Sequence, residues 1–153
     1  AQFILGLAEN LDLTNFIIPP WIQINNMHPK KALECADLAL VASGSATIEA
    51  AVFETPMIII YKMNILSWWL SKRFVKTTFA GMVNIIAGKE IIPEFLQNKA
   101  TVKSIINEAI TILNNTKRQK KMKNELINVK QALKGKGTSK SAAEYILSLL
   151  HSK

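Results

Sequence analysis

The sequence predicts an α/β domain in which helices flank a parallel sheet, and three observations predict it. First, two short apolar runs, Leu38 to Val41 and Met57 to Tyr61, are separated by a stretch of helical period, Ala46 to Glu54. Small residues open that stretch (Ala42-Ser43-Gly44-Ser45) and Thr55-Pro56 closes it. Strand, turn, helix, loop and strand form the crossover that parallel strands require. Second, further strand-like and helix-like segments alternate on both sides of this unit, the order expected of a sheet covered by helices. Third, 153 residues of which 49% are apolar suffice for one real core and exclude disorder as the main state.

From the N-terminus, Gln2 to Leu7 reads as a strand. A second short strand falls either at Phe16 to Ile18, before Pro19-Pro20, or at Trp21 to Ile24, after them. Asn25 to Pro29 is a turn, and Lys30 to Cys35 is a short helix that delivers the chain to Asp37. Beyond the central unit, Asn64 to Lys76 has a helical period. Leu66, Leu70 and Phe74 recur on one side, and Lys72, Arg73 and Lys76, with Trp69 among them, lie on the other. Thr77 to Gly81 turns, and Val83 to Gly88 is a small apolar element with one polar residue, Asn84. An Asn in such a run must find partners, so it either braces a loop or faces a ligand.

Ile91 to Gln97 follows, with Pro93 suited to the start of a helical turn. Thr101 caps a helix with apolar residues at Val102, Ile105, Ile106, Ala109, Ile110 and Leu113, closed by Asn114-Asn115. Arg118 to Leu133 is a basic helix with Met122, Leu126, Val129 and Leu133 inward. After Gly135 to Gly137, Ser139 or Ser141 opens a last helix that runs to Leu150. No repeat or linker divides the chain, so residues 1–153 read as one domain.

The chemistry concentrates at the Gly44 turn. Gly44 and the Ser45 N–H stand at a helix N-terminus, where unpaired donors and the helix dipole attract an anion. Glu49 lies one turn further in. An anion site beside a carboxylate suits a phosphate joined to a hydroxyl-bearing group such as a ribose. A plain capped helix, with Ser43 or Ser45 satisfying the first N–H groups and Glu49 solvated, explains the same residues without a ligand.

The net charge of +8 gathers in Lys117 to Lys140 and favours anionic partners. No aromatic residue is interleaved with these lysines to stack bases, and lysine is the default on a solvated helix face, so nucleic acid is not expected as a partner. The one cysteine, Cys35, forms no internal disulfide and reads as a buried, inert thiol. His28 and His151 belong to no metal-ligand spacing, so no metal is expected. The N-terminus has neither an initiator Met nor a signal peptide, which suggests that the chain starts inside a larger protein.

With these segments laid out, the chain resembles lipid-A-disaccharide synthase, a glycosyltransferase of the GT-B architecture. Ala36 to Lys62 (ADLALVASGSATIEAAVFETPMIIIYK) is similar to that family's strand, Ser-Gly-Thr-Ala-Thr turn, Glu-bearing helix, Pro and strand ending in Tyr-Arg. Ile65 to Lys76 (ILSWWLSKRFVK) resembles its Trp-Leu-Ala-Lys-Arg helix. Val83 to Gln97 (VNIIAGKEIIPEFLQ) resembles its Pro-Asn-Leu-Leu-Ala-Gly-Arg-Glu segment. Lys62 and Lys89 stand where the family has Arg, keeping the charge but losing the planar fork. Gly81-Met82-Val83 stands where the family has Ser-Leu-Pro. The family's Pro-Gly-Ser-Arg loop and its N-terminal half, with the acceptor site and general base, lie outside this sequence.

The resemblance implies the C-terminal, sugar-nucleotide-binding half of a GT-B fold: a Rossmann-like parallel sheet with C-terminal helices, of which 141–150 crosses back to the other half. It implies transfer of 2,3-diacylglucosamine from UDP to 2,3-diacylglucosamine 1-phosphate, inverting, with no cofactor or metal, the UDP-sugar being a substrate. Ser43, Gly44, Ser45 and Thr47 would approach the diphosphate, and Glu49 the ribose. Lys62 joins this sugar-donor site. Asn84, as the catalytic residue, with Gly88 and Glu90 would line the cleft. Trp69, Lys72, Arg73 and Lys76 would face an anionic inner-membrane surface, placing a bacterial enzyme in the cytoplasm as a peripheral protein. The other partners implied are the N-terminal half and, compatibly, a second copy. This chain alone would turn nothing over. Another UDP-sugar GT-B transferase, or a basic module for nucleic acid or anionic lipid, is the alternative.

Overall fold

The computed structural model describes residues 1–7, 11–25, 29–64, 79–134, 143 and 145–148. Its elements follow the expected alternation: β1 (Phe3–Gly6), β2 (Ile22–Asn25), α1 (Pro29–Cys35), β3 (Ala39–Ala42), α2 (Ser45–Val52), β4 (Met57–Tyr61), α3 (Met82–Ala87), β5 (Glu94–Leu96), a 3-10 turn (Gln97–Lys99), α4 (Val102–Leu113) and α5 (Thr116–Leu133). Every strand pair is parallel. The described strands form two sheets, β1–β2 and β3–β4–β5.

β4 is the central strand of the larger sheet and reads MIIIY. Met57, Ile58 and Ile59 are fully buried, as an unbroken apolar run should be when both faces of a parallel sheet are covered. α2 lies against β3 and buries Thr47, Ala50 and Ala51, whose small side chains let the helix approach closely. α5 lies against α2 and α3 with Met122, Leu126 and Val129 inward, one apolar stripe at helical spacing. With Val83, Ile92 and Ile112 these residues make one core. At about 25 cal/mol per Å² of apolar surface removed from water, each such side chain stabilises the fold by roughly 1.5–3 kcal/mol. Thr101 caps α4, accepting from Ser104 N–H at 3.1 Å, and Asn115 caps α5, accepting from Arg118 N–H at 2.9 Å.

The structure decides one expectation left open and corrects several others. The second strand is Ile22–Asn25, after the prolines, where Trp21 meets Phe3 edge to face at 5.1 Å. Glu94–Leu96 is a strand and not a helical turn from Pro93: the Pro93 carbonyl accepts from Ile59 N–H at 3.0 Å, so the far side of β4 draws this segment into the sheet. Cys35 is exposed rather than buried. Leu133, the last residue of α5, is 41% exposed rather than inward. On α4 only Ile112 is buried, while Val102, Ile106, Ile110 and Leu113 remain exposed. The expected helix from Asn64 to Lys76 lies outside the described residues from 65 onward. Of the last helix, Tyr145 and Ile146 are exposed, one of the outcomes expected of a helix lacking its normal partner; Leu149 and Leu150 lie outside the described residues.

Candidate functional site

In an open parallel sheet the loops after the strands converge at one edge, and ligands bind there. β3 and β4 align Ala42 with Ile60. Gly44 stands two residues past the end of β3 and Lys62 one residue past the end of β4, so both lie beyond the same end of the sheet. Gly44 has φ 119° and ψ −154°, a region closed to side chains, and it is the N-cap of α2. No side chain caps α2. Ser43 and Ser45 thus do not serve as the caps that the sequence allowed. The Ser43 hydroxyl instead donates to the Ala80 carbonyl at 2.7 Å, tying this turn to the start of α3. Thr47, fully buried, donates its hydroxyl to the Gly44 carbonyl at 2.7 Å. It holds the turn from behind and has no surface for a ligand.

α3 begins beside this turn at Gly81 with no side-chain cap, and the backbone just ahead of its first turn is held by a carboxylate. Glu94, on β5, accepts from Ala80 N–H at 2.8 Å with one carboxylate oxygen and from Gly81 N–H at 2.9 Å with the other. Asn84 supplies a further donor to Glu94, at 2.7 Å. The Asn84 amide is saturated: its NH2 also donates to the Ile92 carbonyl at 2.8 Å, and its oxygen accepts from Ile91 N–H at 2.9 Å and Ile92 N–H at 3.0 Å. Asn84 is completely buried. Of the two roles open to it in the sequence, bracing a loop is the one its contacts serve. Gly81 packs so closely that a Cβ there would stand 2.3 Å from Ile59 Cδ1.

The structure brings together Ser43, Gly44, Ser45, Thr47 and Lys62 at one edge. Lys62 is exposed and, among the described residues, has no ion pair. Glu49 is half-buried and likewise unpaired among the described residues. Thr47, Ala50 and Ala51 define the inward face of α2, so Ser45 and Glu49, four residues apart, share the outward face one turn from the uncapped end. Gly88 and Glu90 stand elsewhere. Gly88 is the left-handed C-cap of α3 (φ 66°), a helix of six residues and about 9 Å, and so lies at the end away from Gly44. Lys89 pairs there with Glu125 of α5 at 2.6 Å, and Glu90 lines an open depression of about 360 Å³ with Arg118 and Lys121. Trp69, Lys72, Arg73 and Lys76 lie outside the described residues.

Sequence reasoning missed Glu94. The one available signal was Asn84 itself, since a buried amide needs a partner. The partner became identifiable only with the parallel pairing of β5 with β4. Among the described residues no group of acidic, His or Cys side chains is arranged to hold a metal ion, and no helix is long and apolar enough to cross a membrane.

Residues 20–148 match the family model described as lipid-A-disaccharide synthetase. Relatives named lipid-A-disaccharide synthase include one from Syntrophus aciditrophicus, 34% identical over 155 residues that cover 97% of this chain and 40% of the relative. One from Sulfurihydrogenibium is 32% identical over 92% of this chain and 39% of the relative. One from Coxiella burnetii is 31% identical over 99% and 41%. The chain thus spans about 40% of the length of the curated relatives it matches.

Proposed function

The chain belongs to the lipid-A-disaccharide synthetase family, and we propose that it is the sugar-donor-binding part of such a glycosyltransferase, acting in lipid A biosynthesis. The reaction is transfer of 2,3-diacylglucosamine from UDP to 2,3-diacylglucosamine 1-phosphate, with inversion and with the UDP-sugar as a substrate rather than a cofactor. The observation that supports this most is the uncapped N-terminus of α2. Its first residues, Ser45 and Ala46, are exposed at the sheet edge past which Lys62 follows β4. In this reading the Ser45 and Ala46 N–H groups and Lys62 hold the diphosphate. Gly44 lets the backbone approach it without a Cβ in the way, and Glu49 accepts from the ribose hydroxyls. Stabilising the departing UDP at fixed donors, set before the reaction starts, is how such an edge lowers the barrier.

Asn84 and Glu94 act as positioning residues: they fix the start of α3, to which Ser43 is tied. Gly88 and Glu90 then touch the other end of α3 and contribute to the reaction only from there. The membrane contact of Trp69, Lys72, Arg73 and Lys76, the N-terminal half with the acceptor site, and the inactivity of this chain alone belong to the same proposal. Titrating the chain with UDP, followed by amide NMR, tests it. Shifts at Gly44, Ser45, Glu49 and Lys62 are expected, with weaker binding of ADP. Unmoved resonances at those four residues would refute it. Equal binding of UDP and ADP would refute the uridine specificity and leave a more general sugar-nucleotide site.

A further inference from the structure

β4 runs on past the point where its neighbour stops. Ile59 N–H donates to the Pro93 carbonyl at 3.0 Å, and the ladder pairs Ile59 with Glu94, Ile60 with Phe95 and Tyr61 with Leu96. In a parallel pair, alternate residues of one strand turn both backbone groups toward the other. Ile59 does so toward β5, and Tyr61 and Met63 share its parity. β5, however, ends at Leu96, and Gln97 opens the 3-10 turn. The backbone groups of Met63 therefore face a place that β5 has left.

Gln97 fills that place with its side chain. Its amide oxygen accepts from Met63 N–H at 3.3 Å, and its NH2 donates to the Met63 carbonyl at 3.2 Å. One side chain thus supplies the acceptor and the donor that two peptide groups of a longer β5 would have supplied. Exposure alternates past the end of β4 as it does along a strand: Tyr61 and Met63 are half-buried, Lys62 and Asn64 exposed. Lys62 lies between the last pair of the ladder and the Gln97 bracket.

The turn itself does not call for glutamine. Gln97 has φ 51°, in the left-handed region, which glycine occupies without cost and a longer side chain does not. The other non-glycine residue at positive φ among the described residues is Glu54, whose carboxylate pairs with Lys130 at 2.6 Å. Each of the two sits in an unfavourable backbone region and ties its side chain to another element.

We propose that Gln97 is a positioning residue of the sugar-donor site: by holding both backbone groups of Met63 it fixes the path of the chain past β4, and with it the place from which Lys62 reaches the diphosphate. The inference rests on the reading of Lys62 as a diphosphate contact. A cation whose backbone is already fixed loses less freedom when the ligand arrives, so the bracket raises affinity without touching the ligand.

A double-mutant cycle of Gln97→Gly and Lys62→Ala tests it, read by titration calorimetry of the chain with UDP and by amide hydrogen exchange. Glycine keeps the left-handed turn, so the fold of Gln97→Gly should hold. Met63 N–H should exchange about ten-fold faster or more in that variant, while Ile59 N–H stays protected. Lys62→Ala should weaken UDP binding about ten-fold. Gln97→Gly should weaken it about three-fold, and the double variant no further than Lys62→Ala alone, as two residues acting through one contact require. Gln97→Met, of the same length without the amide, should weaken UDP as much as Gln97→Gly, so the result does not depend on how glycine alters the turn.

Weaker binding in Lys62→Ala with full affinity in both Gln97 variants overturns the proposal and leaves the donor-site reading standing. Additive losses overturn it too, since Gln97 would then act otherwise than through Lys62. Unchanged exchange at Met63 in Gln97→Gly shows that the bracket is absent, with the same consequence. Unchanged affinity in Lys62→Ala removes Lys62 from the diphosphate, and the proposal with it.

Discussion

Replacing Asn84 by Asp tests the bracket at the start of α3 through its pH dependence. The amide orientation is set by its surroundings: the oxygen faces two N–H groups, and the NH2 faces a carbonyl and the Glu94 carboxylate. Asp has the same shape and keeps the oxygen that serves Ile91 and Ile92 N–H. It loses the donor, so its second oxygen meets Glu94 where the NH2 now stands 2.7 Å away. Two carboxylates about 4 Å apart repel by roughly 4 kcal/mol at an effective dielectric of 20. At low pH one of them carries a proton, donates as the amide did, and the loss shrinks to about 1 kcal/mol.

The sign follows from proton binding. In Asn84→Asp the folded state holds a proton that the unfolded chain releases near pH 4, so stability is retained below that pH and falls as pH rises toward neutrality. Urea unfolding of Asn84→Asp and the parent at pH 4.5 and 7.5 reads it. With a slope near 2 kcal/mol per M, the variant's midpoint should lie about 0.5 M below the parent at pH 4.5 and 1.5–2 M below at pH 7.5. Asn84→Ala strands the buried Ile92 N–H and C=O at both pH values and should cost about 3–5 kcal/mol with little pH dependence. A pH-independent gap for Asn84→Asp would mean that Glu94 does not face the Asn84 NH2, and the bracket would be wrong.

Three other perturbations separate backbone, packing and ligand effects. Gly81→Ala drives a Cβ to 2.3 Å from Ile59 Cδ1 and should cost about 1–3 kcal/mol; Ile59→Val removes that atom, so a double-mutant cycle by urea unfolding should show the pair less damaging than the sum, by about 1 kcal/mol. Gly44→Ala meets no atom within 4 Å, so its cost of about 1–3 kcal/mol is purely that of the backbone region; an unchanged unfolding midpoint would contradict the geometry of the turn. Glu49→Gln should leave stability within about 0.5 kcal/mol and weaken UDP binding roughly ten-fold by titration calorimetry, through loss of a charge-assisted acceptor; unchanged affinity removes Glu49 from the ribose.

What was legible in the sequence is what local chemistry decides. The β3–α2–β4 unit follows from two apolar runs, a glycine and a Thr-Pro break, and the structure forms it at nearly those residues. The cap at Thr101 is local and follows the side-chain type; Asn115, read as the close of α4, is also the cap of α5. β5 was not legible, because three residues reading EFL carry no period, and only the free side of β4 makes them a strand. The exposed stripe on α4 was unreadable for the opposite reason. Its pattern is strongly amphipathic, but period tells which residues share a face and not whether anything covers it. At the site, Gly44 announced itself through composition, whereas Thr47 and Asn84 looked like ligand contacts and are buried supports. A polar residue beside a turn has the same one-letter code whether it faces the ligand or stands behind the backbone that does.

That distinction bears on why two helix N-termini sit side by side at one sheet edge. Ser43 links them through the Ala80 carbonyl, and both begin at a glycine with no side-chain cap. What differs is the approach: just ahead of α3 the Ala80 and Gly81 N–H groups are met by the chain's own carboxylate, Glu94, which is held in turn by Asn84. At α2 no side chain plays that part, and the available carboxylate, Glu49, lies a full turn away on the outward face. An uncapped helix start costs about 1 kcal/mol relative to a good Ser, Asp or Asn cap, and Ser43 and Ser45 stand on either side of the position. A glycine between two serines, with the nearer hydroxyl directed to another loop, forgoes that stabilisation. A site that must exchange one anion for another at every turnover has reason to do so. A permanent carboxylate on the first N–H groups of α2 would occupy the donors that an incoming phosphate needs.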